Sequence, residues 1–203
     1  VDVTGSLKFD IAPSDALRVQ ATELRLRWQL GERPVLVAAS THEGEDSIVL
    51  SAVAQVRELR PDTLLILVPR HPERFDSVAR LVREQGCTLR RRSQQEDVTA
   101  DTQVFLGDTM GELLLWYALS DIAFVGGSLV PVGGHNMLEP IALAVPTLPG
   151  PHGFNFPAIA DESVAAGALK LVEASGLASA VQQLLQAPEL ARQQASAGHE
   201  VMQ

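Results

Sequence analysis

The hydrophobic residues of this chain fall into short continuous runs, and the stretches between them carry apolar residues at helical spacing. Three runs, Val35 to Ala39, Leu64 to Val68 and Ile122 to Val125, are apolar throughout. Uninterrupted apolar runs of this length predict strands that are buried on both faces. Two shorter segments, Thr88 to Arg90 and Val104 to Leu106, predict further strands.

The helical spacing is clearest after the first strand, where Asp46 to Arg60 predicts an amphipathic helix. A second helix is predicted to begin after Pro72 and to stop at Gly86, and a third covers Leu113 to Leu119. Two weaker strand candidates complete the pattern: Pro146 to Leu148 and Leu169 to Val172.

Strands that alternate with helices in this way predict a parallel sheet with helices on both faces. The predicted fold class is therefore α/β, with a doubly wound, Rossmann-like parallel sheet. The polar and irregular stretch from Arg91 to Asp101 predicts an exposed loop.

In doubly wound sheets, ligands bind beyond the carboxyl ends of the strands. Four loops with polar or glycine-rich sequences follow predicted strands, and we expect them to meet at one edge of the sheet. These loops are Pro69 and Arg70, Asp108 to Glu112, the glycine pairs after Val125, and Gly150 to Asn155.

The third loop belongs to the segment from Phe124 to Pro140, which contains two Gly-Gly pairs and restarts as a helix near Asn136. A glycine-rich turn between a strand and a helix predicts bare backbone N–H groups that face a ligand. Ser128 and His135 add polar groups that suit a sugar or a phosphate. Asn136 and Glu139 project from the same side of a helix, and a carboxylate beside an amide suits a ribose diol. The alternative is a tight turn with an N-cap and no ligand.

Arg70 directly follows a buried strand, so its planar guanidinium is predicted to lie at the edge of a cleft, where it suits a phosphate. The alternative is a surface arginine that pairs with Glu73 or Asp76 on the next helix. The residue pattern alone leaves both interpretations open.

Composition narrows the possible functions. The chain has 203 residues, 46% of them hydrophobic, and a formal net charge of -9. An acidic surface argues against nucleic acid as a partner, because nucleic acid binding needs a basic stripe. The lone cysteine, Cys87, cannot form an internal disulfide and fits a reducing compartment. No apolar run approaches the roughly 20 residues needed to cross a bilayer.

Motifs of several other protein classes are missing from the sequence. The five histidines show no metal-ligating spacing, so no zinc site is predicted. No G-x-G-x-x-G follows the first strand and no Walker sequence occurs, which argues against nicotinamide dinucleotide and P-loop sites. The chain shows no signal peptide, and it begins with Val1 rather than Met, which predicts a fragment.

The glycine-rich segment resembles the C-terminal, donor-binding half of 3-deoxy-D-manno-octulosonic acid (Kdo) transferase, which adds Kdo to lipid A. Four further segments resemble the same family in the same order, so the resemblance runs from the first residues to about Phe156. These segments are Thr4 to Asp10, Val68 to Phe75, Leu106 to Leu113 and Gly150 to Phe156.

The resemblance implies the C-terminal domain of a two-domain glycosyltransferase of the GT-B architecture, with CMP-Kdo as the donor. It implies a donor site in which the Pro-Arg, Met-Gly-Glu and Asn-x-x-Glu segments line the nucleotide. The implied binding residues are Pro69, Arg70, Met110, Gly111, Glu112, Gly127, Ser128, Gly134, His135, Asn136, Met137, Leu138 and Glu139.

The resemblance also assigns a catalytic part to Lys8, which would stabilise the charge that develops on the donor phosphate. Ser6 stands where the family more often has asparagine, so no part is assigned to position 6. The alternative for Lys8 is a solvated lysine on a linker.

The expected organisation is a linker over residues 1–10 and a CMP-Kdo-binding domain over residues 11–203. The lipid A precursor, the general base and the membrane contact would belong to an N-terminal half absent from this chain. The resemblance implies inverting transfer at the cytoplasmic face of the bacterial inner membrane, without cofactor or metal. It implies that this chain alone is soluble and inactive.

Two alternatives from different classes remain at this point. One is the donor domain of another GT-B-like enzyme, such as a UDP-sugar transferase or a UDP-sugar 2-epimerase. The other is a non-catalytic nucleotide-binding module.

Overall fold

A computed structural model of the chain describes residues 13–202 and contains five strands and eight α-helices within that range. The strands are β1 (Val35–Thr41), β2 (Leu64–Pro69), β3 (Leu89–Arg91), β4 (Val104–Leu106) and β5 (Ile122–Val125). The helices are α1 (Asp15–Arg27), α2 (Glu45–Leu59), α3 (Phe75–Glu84), α4 (Leu113–Leu119), α5 (Leu138–Ala142), α6 (Pro157–Ala165), α7 (Leu177–Gln186) and α8 (Pro188–Val201).

The five strands form one parallel sheet in the order β3-β4-β2-β1-β5. Every residue of β1, β2 and β5 is buried, which is why these segments are continuously apolar. From β1 the chain forms β2 beside it and then β3 at the edge of the sheet, and it returns to place β4 between β3 and β2. It then crosses to the other side of β1 to form β5. The carboxyl ends of β1 and β5 therefore flank the topological switch point, where α/β sheets bind ligands.

The side chains of the strands alternate between two hydrophobic clusters, one on each face of the sheet. Leu36 and Ala38 of β1 pack in the cluster that α2, α3 and α7 cover, whereas Val37 and Ala39 pack in the cluster with α1 and α4. The α/β prediction with helices on both faces is therefore confirmed.

The two weaker strand candidates are wrong as full strands. Thr147 makes isolated parallel bridges to Ala123 and to Leu169, so the sheet extends past β5 by single contacts only. The side chain of Gln194 lies over this end of the sheet and donates to the carbonyls of Thr147, at 2.7 Å, and Ala168, at 3.1 Å.

The predicted exposed loop after β3 is more ordered than its polar sequence suggested. Arg91 completes β3, and its side chain is only 13% exposed because it forms ion pairs with Asp108 and Asp76 at 2.7 Å each. Residues Arg92–Gln94 form a 3-10 turn. The stretch is polar because its arginines bind carboxylates on neighbouring segments.

Two sequence predictions fall outside the described range. The linker over residues 1–10, and Lys8 within it, belong to residues that the structure does not describe. Within residues 13–202, no helix combines the length and the apolar character that a membrane-spanning helix requires.

Candidate functional site

A cavity of about 250 Å³ opens at the carboxyl edge of the sheet. Its walls come from the ends of β1, β2 and β4, from α4 and from the segment after β5. The predicted site residues that line it are Pro69, Arg70, Met110, Gly111, His135, Asn136 and Glu139.

A second cavity of about 210 Å³ adjoins the first, and His135 lines both. Three other predicted site residues, Ser128, Gly134 and Met137, line this second cavity together with the loop from Gly150 to Phe154. The four predicted loops thus meet at one edge of the sheet but divide between two cavities. Among the predicted residues, Glu112, Gly127 and Leu138 line neither of them.

Arg70 lies at the mouth of the first cavity, and its guanidinium forms no hydrogen bond or ion pair with any residue in the range 13–202. The alternative pairing with Asp76 is not formed, because Arg91 binds that carboxylate instead. The backbone of Arg70 is fixed by an N–H bond to the Thr41 carbonyl, at 3.0 Å, at the end of β1. The structure therefore holds a positioned cation at the cavity mouth.

The loop after β4 is held in place by the buried carboxylate of Asp108. Asp108 accepts hydrogen bonds from the Ser93 N–H and from Arg91, at 2.8 and 2.7 Å. Burial opposes ionisation of this carboxyl, but the bonds from Ser93 and Arg91 outweigh it and lower the pKa of Asp108. The loop thereby presents Met110, which is 61% exposed, and Gly111 to the cavity.

Glu112 stabilises the same loop instead of facing the cavity. Its carboxylate binds the Arg92 guanidinium through three contacts of 2.7 to 3.2 Å and accepts a hydrogen bond from Thr109. The hydrogen bonds from Arg92 lower the pKa of Glu112. The family resemblance implied that Glu112 lines the nucleotide. In this structure its carboxylate instead orients the loop that carries Met110 and Gly111.

The glycine-rich turn after β5 differs from the sequence prediction, because its backbone N–H groups face the protein. The N–H groups of Gly127, Ser128 and Leu129 donate to the carboxylate of Glu45, at 2.7, 3.1 and 2.9 Å. The His42 N–H donates to the same carboxylate at 2.9 Å. Glu45 is completely buried, so an internal anion occupies the position predicted for a ligand.

The turn also fits closely against its neighbours. A Cβ atom at Gly126 would lie 2.3 Å from the Ser40 carbonyl oxygen, so only glycine allows β5 to approach β1 here. The Ser128 hydroxyl donates to the Val125 carbonyl and accepts from the Gly150 N–H at 2.8 Å. The predicted bare N–H groups are therefore not found at Gly127, Ser128 and Leu129, and the Ser128 hydroxyl is bonded within the protein.

Two histidines join the loops on either side of the switch point. Nε2 of His42 lies 2.7 Å from Nε2 of His135, and the rings are parallel with centroids 5.0 Å apart. His71 packs edge-on against His42 at 5.2 Å. Burial lowers the pKa of both paired rings, to about 4 for His135, where His42 and Arg70 add repulsion. Both rings are neutral at pH 7, and one donates its Nε2 proton to the other.

Lowering the pH from 7 to 4 is expected to destabilise the protein through this pair. The unfolded chain binds protons on these rings near pH 6.5, whereas the folded state resists protonation until the pH approaches the pKa of His135, about 4. The free energy of unfolding should therefore decrease as the pH falls through this window. Denaturant unfolding of the wild type and of His135→Asn at several pH values measures the effect. If the free energy of unfolding fell equally steeply with pH in both proteins, the prediction would be contradicted.

The inner wall of the first cavity carries Asn136, Glu139 and Tyr117. Asn136 Oδ1 accepts from the Leu138 N–H at 3.0 Å, and its Nδ2 lies 3.4 Å from the Glu139 carboxylate. The two polar side chains thus lie together as predicted, although α5 begins at Leu138. Burial raises the pKa of Glu139. Sequence analysis missed Tyr117 because it belongs to the apolar run of α4.

Two of the remaining predicted residues are part of the packed interior. Leu138 and Met137 are 1% and 3% exposed, and both sit at the start of α5. Among residues 13–202, no group of three or more His, Cys, Asp or Glu side chains is arranged to hold a metal ion.

The sequence is similar to curated transferases. The chain is 46% identical over 204 residues to the 3-deoxy-D-manno-octulosonic acid transferase of Haemophilus influenzae, a match that covers 100% of the chain and 48% of the relative. It is 42% identical over 172 residues to the transferase of the same name from Bordetella pertussis, covering 82% and 39%. The chain therefore spans less than half the length of these relatives. No protein-family model matches it.

The fold is similar to that of a solved CMP-Kdo binding domain. The crystal structure of the C-terminal CMP-Kdo binding domain of WaaA from Acinetobacter baumannii matches with a TM-score of 0.89 and 43% identity. The match covers 93% of this chain and 98% of that domain, so the two share one GT-B C-terminal fold. The chain therefore belongs to the 3-deoxy-D-manno-octulosonic acid (Kdo) transferase family.

Proposed function

We propose that this chain is the donor-binding half of a Kdo transferase and that it binds CMP-Kdo in the first cavity. The observation that carries the proposal is the guanidinium of Arg70, which has no partner among residues 13–202, at the mouth of a cavity whose inner wall holds Asn136 and Glu139. A cation at the mouth suits a phosphate, and hydrogen-bond acceptors on the inner wall suit hydroxyl groups. The cavity therefore matches a ligand in which a phosphate is joined to a neutral polyhydroxyl group.

The orientation of the nucleotide follows from these charges. The phosphate would lie against Arg70, since the Glu139 carboxylate would repel it from the inner wall. The ribose hydroxyls would lie against Asn136 and Glu139, where hydroxyl groups can donate to the carboxylate. Met110 and Gly111 would then border the nucleotide from the loop after β4.

The second cavity is the proposed place of the Kdo sugar. It adjoins the first through His135, so a ligand bound in both would pass that ring at the link between phosphate and sugar. The neutral His42 and His135 pair would meet the donor without adding charge, which leaves Arg70 as the cation that lines these cavities among residues 13–202.

The whole enzyme would transfer Kdo to a lipid A precursor with inversion at the anomeric carbon. An acceptor hydroxyl would attack that carbon while CMP leaves with the bonding electron pair, and a general base in the N-terminal half would take the hydroxyl proton. Lys8 would stabilise the departing phosphate. The complete protein would act as a peripheral enzyme at the cytoplasmic face of the inner membrane.

Nucleotide titration tests this proposal. The purified chain is expected to bind CMP more tightly than AMP, and to transfer no Kdo to lipid A precursor because the base and the acceptor surface lie in the other half. Calorimetric titrations with CMP, UMP and AMP measure the preference, and a transfer assay measures activity. Tighter binding of AMP would refute the pyrimidine donor, tighter binding of UMP would favour a UDP-sugar enzyme, and transfer by the chain alone would refute the division between halves.

A further inference from the structure

Tyr117 carries a buried hydroxyl that residues 13–202 leave without a hydrogen-bond partner. The residue is 1% exposed and its ring packs in the hydrophobic cluster beneath α4. Its hydroxyl forms no hydrogen bond with any residue between 13 and 202. A buried hydroxyl without a partner costs free energy, so an unpaired phenol in a packed core needs an explanation.

The hydroxyl of Tyr117 opens towards the first cavity. Within the described part of the chain, the buried side-chain polar atoms that are fully enclosed without a partner are Trp116 Nε1 and Ser163 Oγ. The Tyr117 oxygen is not one of them, so it touches open space, and the first cavity is the space that Tyr117 lines.

The phenol faces this space together with a second under-bonded group. The Glu139 carboxylate lines the same wall, and among residues 13–202 it has one long contact, at 3.4 Å, to Asn136. Burial first, and the Glu139 charge second, raise the pKa of Tyr117, so its hydroxyl keeps its proton at neutral pH. It can therefore both donate and accept a hydrogen bond.

A hydroxyl pair on a ligand satisfies both groups at once. One ligand hydroxyl can donate to the Glu139 carboxylate, and an adjacent one can accept from the Tyr117 phenol. A phosphate would be repelled by Glu139, and it has Arg70 available at the mouth. The inner wall therefore suits a neutral vicinal diol.

We propose that the Tyr117 hydroxyl is a donor-binding group that, with Glu139, holds the ribose hydroxyls of the nucleotide. The proposal rests on the proposed function, because it takes CMP as the ligand of the first cavity. It adds to the site a residue from α4, which the glycine-rich segment and the loops do not supply. Its consequence is that a bound nucleotide would supply a hydrogen bond that no residue between 13 and 202 supplies.

Tyr117→Phe tests this proposal, because it removes only the hydroxyl. The variant is expected to bind CMP about three- to tenfold more weakly, as for one lost hydrogen bond, and to bind 2′,3′-dideoxy-CMP as the wild type does. The thermal midpoint of the empty protein should stay the same or rise, since an unpaired buried hydroxyl is removed. Calorimetric titration of both ligands and a thermal scan measure these results.

Ser163→Ala is the matched control, since Ser163 is another buried hydroxyl without a partner but lies on α6, away from the first cavity. It should leave the affinity for both nucleotides unchanged. A Tyr117→Phe protein with wild-type affinity for CMP would overturn the proposal, and so would an equal loss for CMP and dideoxy-CMP. A wild-type protein that binds no CMP would instead refute the proposed function.

Discussion

Glu45→Ala is expected to lower the free energy of unfolding by about 3–5 kcal/mol. The substitution leaves four backbone N–H groups without an acceptor. The bonds from Gly127 and Ser128 are buried, and each buried N–H group costs about 1–3 kcal/mol when nothing replaces its partner. The four costs do not add in full, because the turn can relax and admit water. Chemical denaturation of the empty protein measures the loss.

Glu45→Gln should give a smaller loss, because one amide oxygen still accepts while the amide NH₂ turns towards the same donors. Glu43→Ala is the matched control, since Glu43 lies two residues before Glu45, in the turn that leads into α2, and is exposed. It should change stability by no more than about 0.5 kcal/mol. If Glu45→Ala and Glu43→Ala unfolded at the same denaturant concentration, the Glu45 carboxylate would not be what holds the glycine-rich turn.

Arg70→Ala is expected to weaken CMP binding by about 1.5–3 kcal/mol, the range for a hydrogen bond to a charged group. The free energy of unfolding of the empty protein should barely change, because the Arg70 side chain is exposed and unpaired among residues 13–202. Titration calorimetry with CMP and with cytidine separates the phosphate contact from the rest, since cytidine lacks the phosphate. Cytidine affinity should be unaffected.

Substitutions of two other arginines serve as controls for Arg70→Ala. Arg80→Ala removes the same charge from an exposed position on α3 and should leave CMP affinity unchanged. Arg74→Ala should lower the free energy of unfolding, because Arg74 binds the buried carboxylate of Asp46. Arg70→Ala should instead lower CMP affinity and leave stability unchanged. Equal CMP affinity in the Arg70→Ala and Arg80→Ala proteins would remove Arg70 from the site.

The strands of the sheet were predictable because burial imposes one simple pattern on them. The predicted Val35 to Ala39, Leu64 to Val68 and Ile122 to Val125 differ from the observed strands by at most two residues at one end. The single bridges at Thr147 could not be predicted in the same way, because that residue sits in a short segment whose end is covered by Gln194.

A site residue was predictable where the strand directly before it fixes its place at the sheet edge. Arg70 follows β2 directly, and its place at the cavity mouth needs no distant partner. Glu45 is the contrary case, because its acceptor role depends on Gly127, which is 82 positions away in the sequence. Tyr117 was missed for a related reason: a phenol in the apolar run of α4 resembles core packing until the cavity beside it is seen.

The internal carboxylate of Glu45 has a consequence for how the proposed donor would bind. Glycine-rich loops lose much conformational entropy when a ligand orders them, and that loss weakens binding. Here the ordering of the turn from Gly127 to Leu129 is complete once the protein has folded, since three N–H bonds to Glu45 already fix it. The sugar end of the proposed donor would therefore meet a preorganised turn, because Ser128 lines the second cavity, and its affinity would not be reduced by the freezing of glycines.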